Sequence, residues 1–177
     1  MADLALSTLI PFAEADPAEV EQVLDASFGP NRHGRTAYAI RKGTEWLPAL
    51  SFAAFDEAGA LAGTIQAFPV ALTDPESRAH PLIMIGPVAI LPERQGQGFG
   101  RALMAAQKEA IEAGVEQGAP LLAQVLIGDE AYYGKFGFTK APHGWRCPGP
   151  WDPERLLGRA MSPTGLPGQG MLGPWRG

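Results

Sequence analysis

The run Leu82-Ile83-Met84-Ile85-Gly86-Pro87-Val88-Ala89-Ile90-Leu91-Pro92-Glu93-Arg94-Gln95-Gly96-Gln97-Gly98-Phe99-Gly100-Arg101 decides the fold of this chain. Leu82–Ile90 is the most apolar strand-like segment in the sequence, interrupted by Gly86-Pro87, and it predicts a buried strand. Arg94–Gly100 is a glycine-rich loop. From Gly98 to Glu116 the residues follow helical spacing. Phe99, Leu103, Ala106, Ala110 and Ala113 fall on one face, and Gln107, Lys108, Glu109, Glu112 and Glu116 supply polar positions. The order is strand, glycine loop, long helix.

That order gives the glycines Gly96, Gly98 and Gly100 a chemical reading. The first amides of a helix have no intrahelical partner, and the helix dipole places partial positive charge there. Glycines let an anion such as a pyrophosphate approach those amides without an intervening side chain. A plain flexible turn is the alternative. The dinucleotide fingerprint G-x-G-x-x-G fails, because Arg101 stands three positions after Gly98. A phosphate-binding loop of the G-x-x-x-x-G-K-[ST] kind also fails, because the chain has no Lys-Ser or Lys-Thr pair.

Working outward, Leu4–Phe12 suits a first strand. Asp16-Pro17-Ala18-Glu19 then opens a helix, with Asp16 as N-cap, Pro17 at the first helical position and Glu19 completing a capping box. Val20, Val23, Leu24 and Phe28 follow at helical spacing until Gly29-Pro30. Residues 31–45 read as a short helix or loop. Ala49–Phe55 and Leu61–Leu72 are strand-like runs joined by the turn Asp56-Glu57-Ala58-Gly59, and Thr73–Pro81 is a polar turn. Ala119–Ile127 predicts another strand. Gly128-Asp129 leads into a short helix over Glu130–Phe136 that ends at Gly137. After residue 141 glycine and proline dominate, which predicts loop with a few short strands. The fold class is mixed α/β: a single central, mostly antiparallel sheet flanked by helices.

Composition bounds the function. The chain has 177 residues, which fits one domain over 1–177, and 46% of it is apolar. A net charge of −5 argues against a nucleic-acid backbone binder. No run approaches the ~18 apolar residues of a membrane helix, and Met1–Phe12 lacks the charge pattern of a signal peptide, so a cytoplasmic location is expected. One cysteine, Cys147, excludes an intrachain disulfide and a multi-Cys zinc site. It has no sequence-adjacent Cys or His and reads as a half-buried thiol. His33, His80 and His143 lie far apart, so no metal site is expected. The 22 glycines and 17 prolines make up about a fifth of the chain, with the excess in the C-terminal segment.

The string Gln95-Gly96-Gln97-Gly98-Phe99-Gly100 resembles the pyrophosphate-binding pattern [QR]-x-x-G-x-[GA] of the GNAT family of acyl-CoA-dependent N-acyltransferases. Gly86–Pro92 is similar to that family's fourth strand, and Ala131-Tyr132-Tyr133-Gly134-Lys135-Phe136-Gly137-Phe138 to its short helix and Gly-Phe turn. The two signatures lie about 35 residues apart, as the family's arrangement implies. The resemblance covers about residues 3–140 and is nearest to a bacterial branch of predicted acetyltransferases. It implies acetyl-CoA as co-substrate. Val88, Ala89 and Ile90 would form the strand segment whose backbone pairs with the pantetheine amides. In the Gln95-to-Arg101 loop, Gly96, Gly98, Phe99, Gly100 and Arg101 would give amides to the pyrophosphate, with Gln95 and Gln97 completing the motif. Tyr133 stands where the family often carries a tyrosine near the coenzyme A sulfur.

Acyl transfer from a thioester needs a neutral amine, a stabilised oxyanion and a proton for the leaving thiolate. The resemblance gives the oxyanion to an amide near Val88 and the proton to Tyr133, whose alternative use is packing against the sheet; Tyr132 reads as core. Many family members carry a carboxylate on the fourth strand, but Leu82–Ile90 has none. His80 is a weak candidate for the base, Asp129 and Glu130 read as helix caps, and no base is named. Arg32, His33, Arg35, Arg41 and Lys42 lie in the segment that lines the family's acceptor side, and are otherwise a solvated face. Trp145, Trp151 and Trp175 could wall an acceptor pocket or pack beneath a loop. The reading is therefore an N-acetyltransferase with an amine acceptor, compatible with a homodimer. The alternative is a non-catalytic acyl-CoA-binding module that keeps the fold.

Overall fold

The computed structural model describes residues 8–161 and 165–176. In chain order the elements are β1 (Thr8–Pro11), α1 (Pro17–Phe28), α2 (Thr36–Ile40), β2 (Phe52–Phe55), β3 (Leu61–Thr73), β4 (Ala79–Ile90), α3 (Phe99–Glu116), β5 (Gln124–Ile127), α4 (Glu130–Tyr133), β6 (Thr139–Lys140), β7 (Gly144–Arg146), β8 (Leu156–Arg159) and β9 (Gln169–Pro174). Hydrogen-bonded strands follow the order β1-β2-β3-β4-β5-β8-β6, with β9 paired to both β3 and β7. The pairs β1–β2, β2–β3, β3–β9, β5–β8 and β6–β8 are antiparallel, while β4–β5 and β7–β9 are parallel. This is the mixed α/β architecture that the sequence predicts: a mostly antiparallel sheet with helices.

Two compact units divide the described chain. One comprises the described residues of Met1–His33, Trp46–Ala67 and Gly86–Pro120, and the other those of Gly34–Glu45, Phe68–Ile85 and Leu121–Gly177. Strands β3 and β4 each contribute residues to both.

In the first unit, Asp16 caps α1 by accepting from the Ala18 amide at 3.0 Å, with Pro17 at the first helical position. Val20, Val23 and Leu24 of α1 are buried with Phe12, Ala15, Ala53, Leu61 and Ala89 in one cluster. The Phe12 ring meets Trp46 edge-on at 4.8 Å. Burying each Val or Leu side chain is worth roughly 1.5–3 kcal/mol, which holds α1 to the sheet. Asp56 shapes the β2–β3 turn by accepting from the amides of Ala58 and Ala60, both at 2.9 Å. The buried face of α3 is Phe99, Leu103, Met104, Gln107 and Ile111, which keeps Phe99 and Leu103 of the expected face but not Ala106, Ala110 and Ala113. Gln107, read as a polar surface position, is fully buried. Its amide nitrogen donates to the carbonyls of Leu50 at 2.8 Å and Gln66 at 3.2 Å, which offsets part of the cost of burial, while its Oε1 has no hydrogen-bond partner among the described residues.

In the second unit, Asp74 repeats the turn chemistry of Asp56, accepting from the amides of Glu76 and Arg78 at 2.9 Å each. β4 therefore begins at Ala79, inside the segment expected to be turn. β5 begins only at Gln124, because Pro120 lacks an amide and residues 119–123 are irregular. The tail holds the few short strands that its composition predicts, at Gly144–Arg146, Leu156–Arg159 and Gln169–Pro174. β8 pairs with β5, and β9 pairs with β3 from Val70↔Pro174 to Thr73↔Met171. Gly170 allows that approach: a Cβ there would stand 2.7 Å from the Thr73 carbonyl oxygen. Arg159 of β8 is buried. It donates to Gln124 Oε1 of β5 at 2.7 Å and to the Phe136 carbonyl at 3.0 Å, and lies over the Phe138 ring at 4.4 Å. Of the predicted first strand, residues 4–7 lie outside the described residues, and Thr8–Pro11 is a strand.

Candidate active site

Backbone direction along β4 sets what its edge can offer. Near its end, the Leu91 amide donates to the Ala62 carbonyl at 2.9 Å, and the Ala89 carbonyl oxygen lies 2.8 Å from where a Cβ on Gly63 would stand. The odd-numbered backbone groups therefore face β3. By strand alternation, the N–H and C=O of Val88 and Ile90 face the opposite edge. Earlier in the strand, the Ile83 amide donates to Ala123, ahead of β5. Gly86, between these two stretches, has a φ of 117°. The Ile90 carbonyl already accepts from the Ser27 hydroxyl of α1 at 3.0 Å.

Beyond the strand, Pro92–Arg94 forms one 3-10 turn. Gly96 (φ 78°) and Gly98 (φ 93°, ψ 0°) then adopt left-handed conformations that L-residues other than Asn and Asp seldom hold. A Cβ on Gly96 would meet nothing within 4 Å. Gly98 is the N-cap of α3 and has no side chain to satisfy the helix's first amides. No acidic residue stands in that first turn, and Arg101, which does, is exposed. The loop presents backbone donors, a helix dipole and one cation, a combination suited to a phosphate group.

Tyr133 closes α4 in the second unit. Asp129 caps this helix by accepting from the Ala131 amide at 3.0 Å, as read from the sequence. Gly128 makes room for the phenol ring, since a Cβ there would stand 2.5 Å from Tyr133 Cε2. Tyr132 lies edge-on to the ring at 4.9 Å and Phe138 at 6.4 Å. Burial pushes the Tyr133 phenol up to about 12, so it is neutral and carries its proton at physiological pH. Tyr132 is exposed rather than core, with the Lys135 ammonium 4.9 Å over its ring.

The remaining candidates divide. His80 bonds Asp74 Oδ2 at 3.0 Å, at the start of β4. Arg32 is buried and ion-paired with Asp25 at 2.9 Å and with Glu21. Arg41 is buried between the rings of Tyr38 and Phe68, 4.1 and 4.0 Å from their centroids. The expected basic cluster is therefore split between the units, with His33, Arg35 and Lys42 exposed. Trp145 is fully buried and donates its indole N–H to the Pro167 carbonyl at 2.9 Å, so it packs beneath the tail instead of walling a pocket. Cys147 is buried, and burial pushes its thiol up to about 12. Among the described residues there is no group of His, Cys, Asp and Glu that could hold a metal ion, and no helix long and apolar enough to cross a membrane.

A left-handed glycine loop that opens a long helix straight after a sheet strand is the arrangement that acyl-CoA acyltransferases share. Comparison with known proteins sharpens this. The profile described as "Acetyltransferase (GNAT) domain" matches residues 49–140, just over half of the chain. The fold is shared with a GNAT family N-acetyltransferase from Escherichia coli solved with CoA: TM-score 0.69, 22% identity, 96% of this chain and 89% of that one covered. It is also similar to a GNAT family acetyltransferase from Brucella melitensis solved with acetyl-CoA: TM-score 0.60, 29% identity, 93% and 92% covered. No curated protein sequence matches. The chain belongs to the GNAT acetyltransferase family.

Proposed function

We propose that this protein transfers an acetyl group from acetyl-CoA to an amine. The observation that carries the proposal is the continuity of two anchors: the outward-facing backbone of Val88 and Ile90 runs into the left-handed glycine loop at the N-terminus of α3. The strand edge suits the two amides of a pantetheine arm, which would add to it as a neighbouring strand does. The amides of Gly96, Gly98, Phe99, Gly100 and Arg101, with the Arg101 side chain, suit the pyrophosphate.

In this reading the Val88 amide stabilises the developing oxyanion, a contribution of the kind worth roughly 3–4 kcal/mol per donor. Tyr133 donates a hydrogen bond to the departing sulfur; its place rests on the Tyr132–Phe138 motif and on its neutral phenol. Burial holds the phenol above its ordinary range, so hydrogen bonding to the sulfur is the larger part of its role. Leu82–Ile90 carries no carboxylate, and no base is assigned; an amine that arrives neutral or loses its proton to water meets the requirement. That same absence favours a second reading, a module that binds acyl-CoA without turning it over.

Thermal denaturation tests the cofactor assignment. At about 100 times its Kd, acetyl-CoA should stabilise the fold by ~2.7 kcal/mol, a rise of roughly 5–11 °C in Tm. NAD and ATP at equal concentration should leave Tm where it is. Equal stabilisation by NAD would overturn the assignment.

A further inference from the structure

The proposed anion loop has a mechanical difficulty. Its two left-handed glycines, Gly96 and Gly98, hold the amides that must face the ligand, and glycine resists ordering more than any other residue. Something outside the loop has to fix its direction. The residue just before it, Arg94, is held from a distant turn. Arg94 Nη2 donates to Asp56 Oδ2 at 2.6 Å. The Asp56 side chain is only 3% exposed, and its other oxygen is occupied by the amides of Ala58 and Ala60. Those amides, Ala60 foremost, and Arg94 hold the Asp56 carboxyl below its ordinary range, so it stays charged. On the far side of Arg94, Nη1 reaches toward Gln97 Oε1 at 3.5 Å, the limit of a hydrogen bond, and Gln97 Nε2 donates to the Glu93 carbonyl at 3.2 Å. A chain of polar contacts thus runs from the β2–β3 turn through Asp56 and Arg94 to Gln97, between the two glycines.

We propose that Asp56 and Arg94 are positioning residues: their ion pair fastens the Gln95–Gly100 loop to the β2–β3 turn and presents its amides to a pyrophosphate. Neither residue needs to touch the ligand. The inference rests on the reading of this loop as the acetyl-CoA site. A guanidinium suits the task because its planar fork can reach the carboxylate and Gln97 together, which a lysine ammonium does less rigidly.

Calorimetry with acetyl-CoA and with S-acetylpantetheine, which lacks the pyrophosphate, tests the role. Arg94→Gln should weaken acetyl-CoA about tenfold and leave S-acetylpantetheine within twofold, with Tm within about 4 °C of wild type. Asp56→Asn should reproduce that loss, the double variant should be no worse than either single, and Arg94→Lys should restore part of it. Unchanged acetyl-CoA affinity in Arg94→Gln overturns the inference, and so does equal weakening of both ligands. A loss in Arg94→Gln that Asp56→Asn does not share also overturns it, because Arg94 would then act directly on the ligand. Should Asp56→Asn not fold, the Arg94→Gln and Arg94→Lys pair decides, since the Arg94 side chain is 30% exposed. A wild-type protein that binds no acetyl-CoA refutes the underlying site assignment instead.

Discussion

Gly98 is where backbone geometry and ligand charge can be separated. Its φ of 93° and ψ of 0° lie in the left-handed region, and it is the N-cap of α3. Most residues there would cost about 1–2 kcal/mol, but Asn and Asp tolerate this conformation and also suit helix caps. Gly98→Asn and Gly98→Asp therefore make a matched pair of nearly equal size, differing in one negative charge. Each should lower Tm by no more than ~4 °C, the equivalent of about 1 kcal/mol in a chain of this length. Either side chain competes for the helix's first amides, so Gly98→Asn should weaken acetyl-CoA about tenfold. A carboxylate ~5 Å from a phosphate charge at an effective dielectric of ~20 adds repulsion of about 3 kcal/mol. Gly98→Asp should therefore bind at least ~100-fold more weakly than Gly98→Asn at low ionic strength, and the gap should narrow with added salt. Titration calorimetry on both folded variants is the assay. Equal affinity for acetyl-CoA in the two would refute the placement of the pyrophosphate at these amides.

Tyr133→Phe keeps the ring that Gly128 accommodates and removes the hydroxyl. It should lower kcat about 100-fold with acetyl-CoA affinity and Tm nearly unchanged, whereas Tyr132→Phe should cost less than twofold. A fall in Tm without a fall in kcat would return Tyr133 to a packing role. Acid stability tests the Asp74 turn, whose carboxyl is held below its ordinary 3.8 first by His80 and then by the Arg78 amide. The unfolded chain binds that proton at higher pH than the folded one. The stabilisation is therefore complete above 3.8 and is lost as pH falls through the lower folded value. Asp74→Asn should flatten the decline of the urea midpoint below about pH 4, and an unchanged slope would contradict the assignment.

Local signals were the legible ones. Asp16 before Pro17, Asp56 before Gly59, the glycine loop before α3 and Asp129 before α4 each act within a few residues of themselves, and each appears where the sequence places it. What escaped depends on partners far along the chain. Gln107 reads as a surface residue until the carbonyls of Leu50 and Gln66 stand opposite its amide nitrogen. The glycine-rich tail reads as loop with a few short strands, but nothing in it tells that β9 pairs with β3, about 100 residues earlier in the chain. Tyr132 reads as core because it falls on another face of the helix than Tyr133, yet it lies exposed beneath the Lys135 ammonium. In the candidate site, the motif names the loop and the tyrosine, while the edge to which the end of β4 turns its backbone groups and the Asp56–Arg94 pair emerge only in three dimensions.

Acetyl transfer itself is tested most directly by following free coenzyme A released from acetyl-CoA against a panel of small amines and amine-bearing peptides, with the acetylated product identified by mass. The account predicts release that depends on at least one amine, matches acetylated amine one for one, and falls about 100-fold in Tyr133→Phe. Saturable acetyl-CoA binding with no amine-dependent release across the panel would contradict it and make the protein an acyl-CoA-binding module.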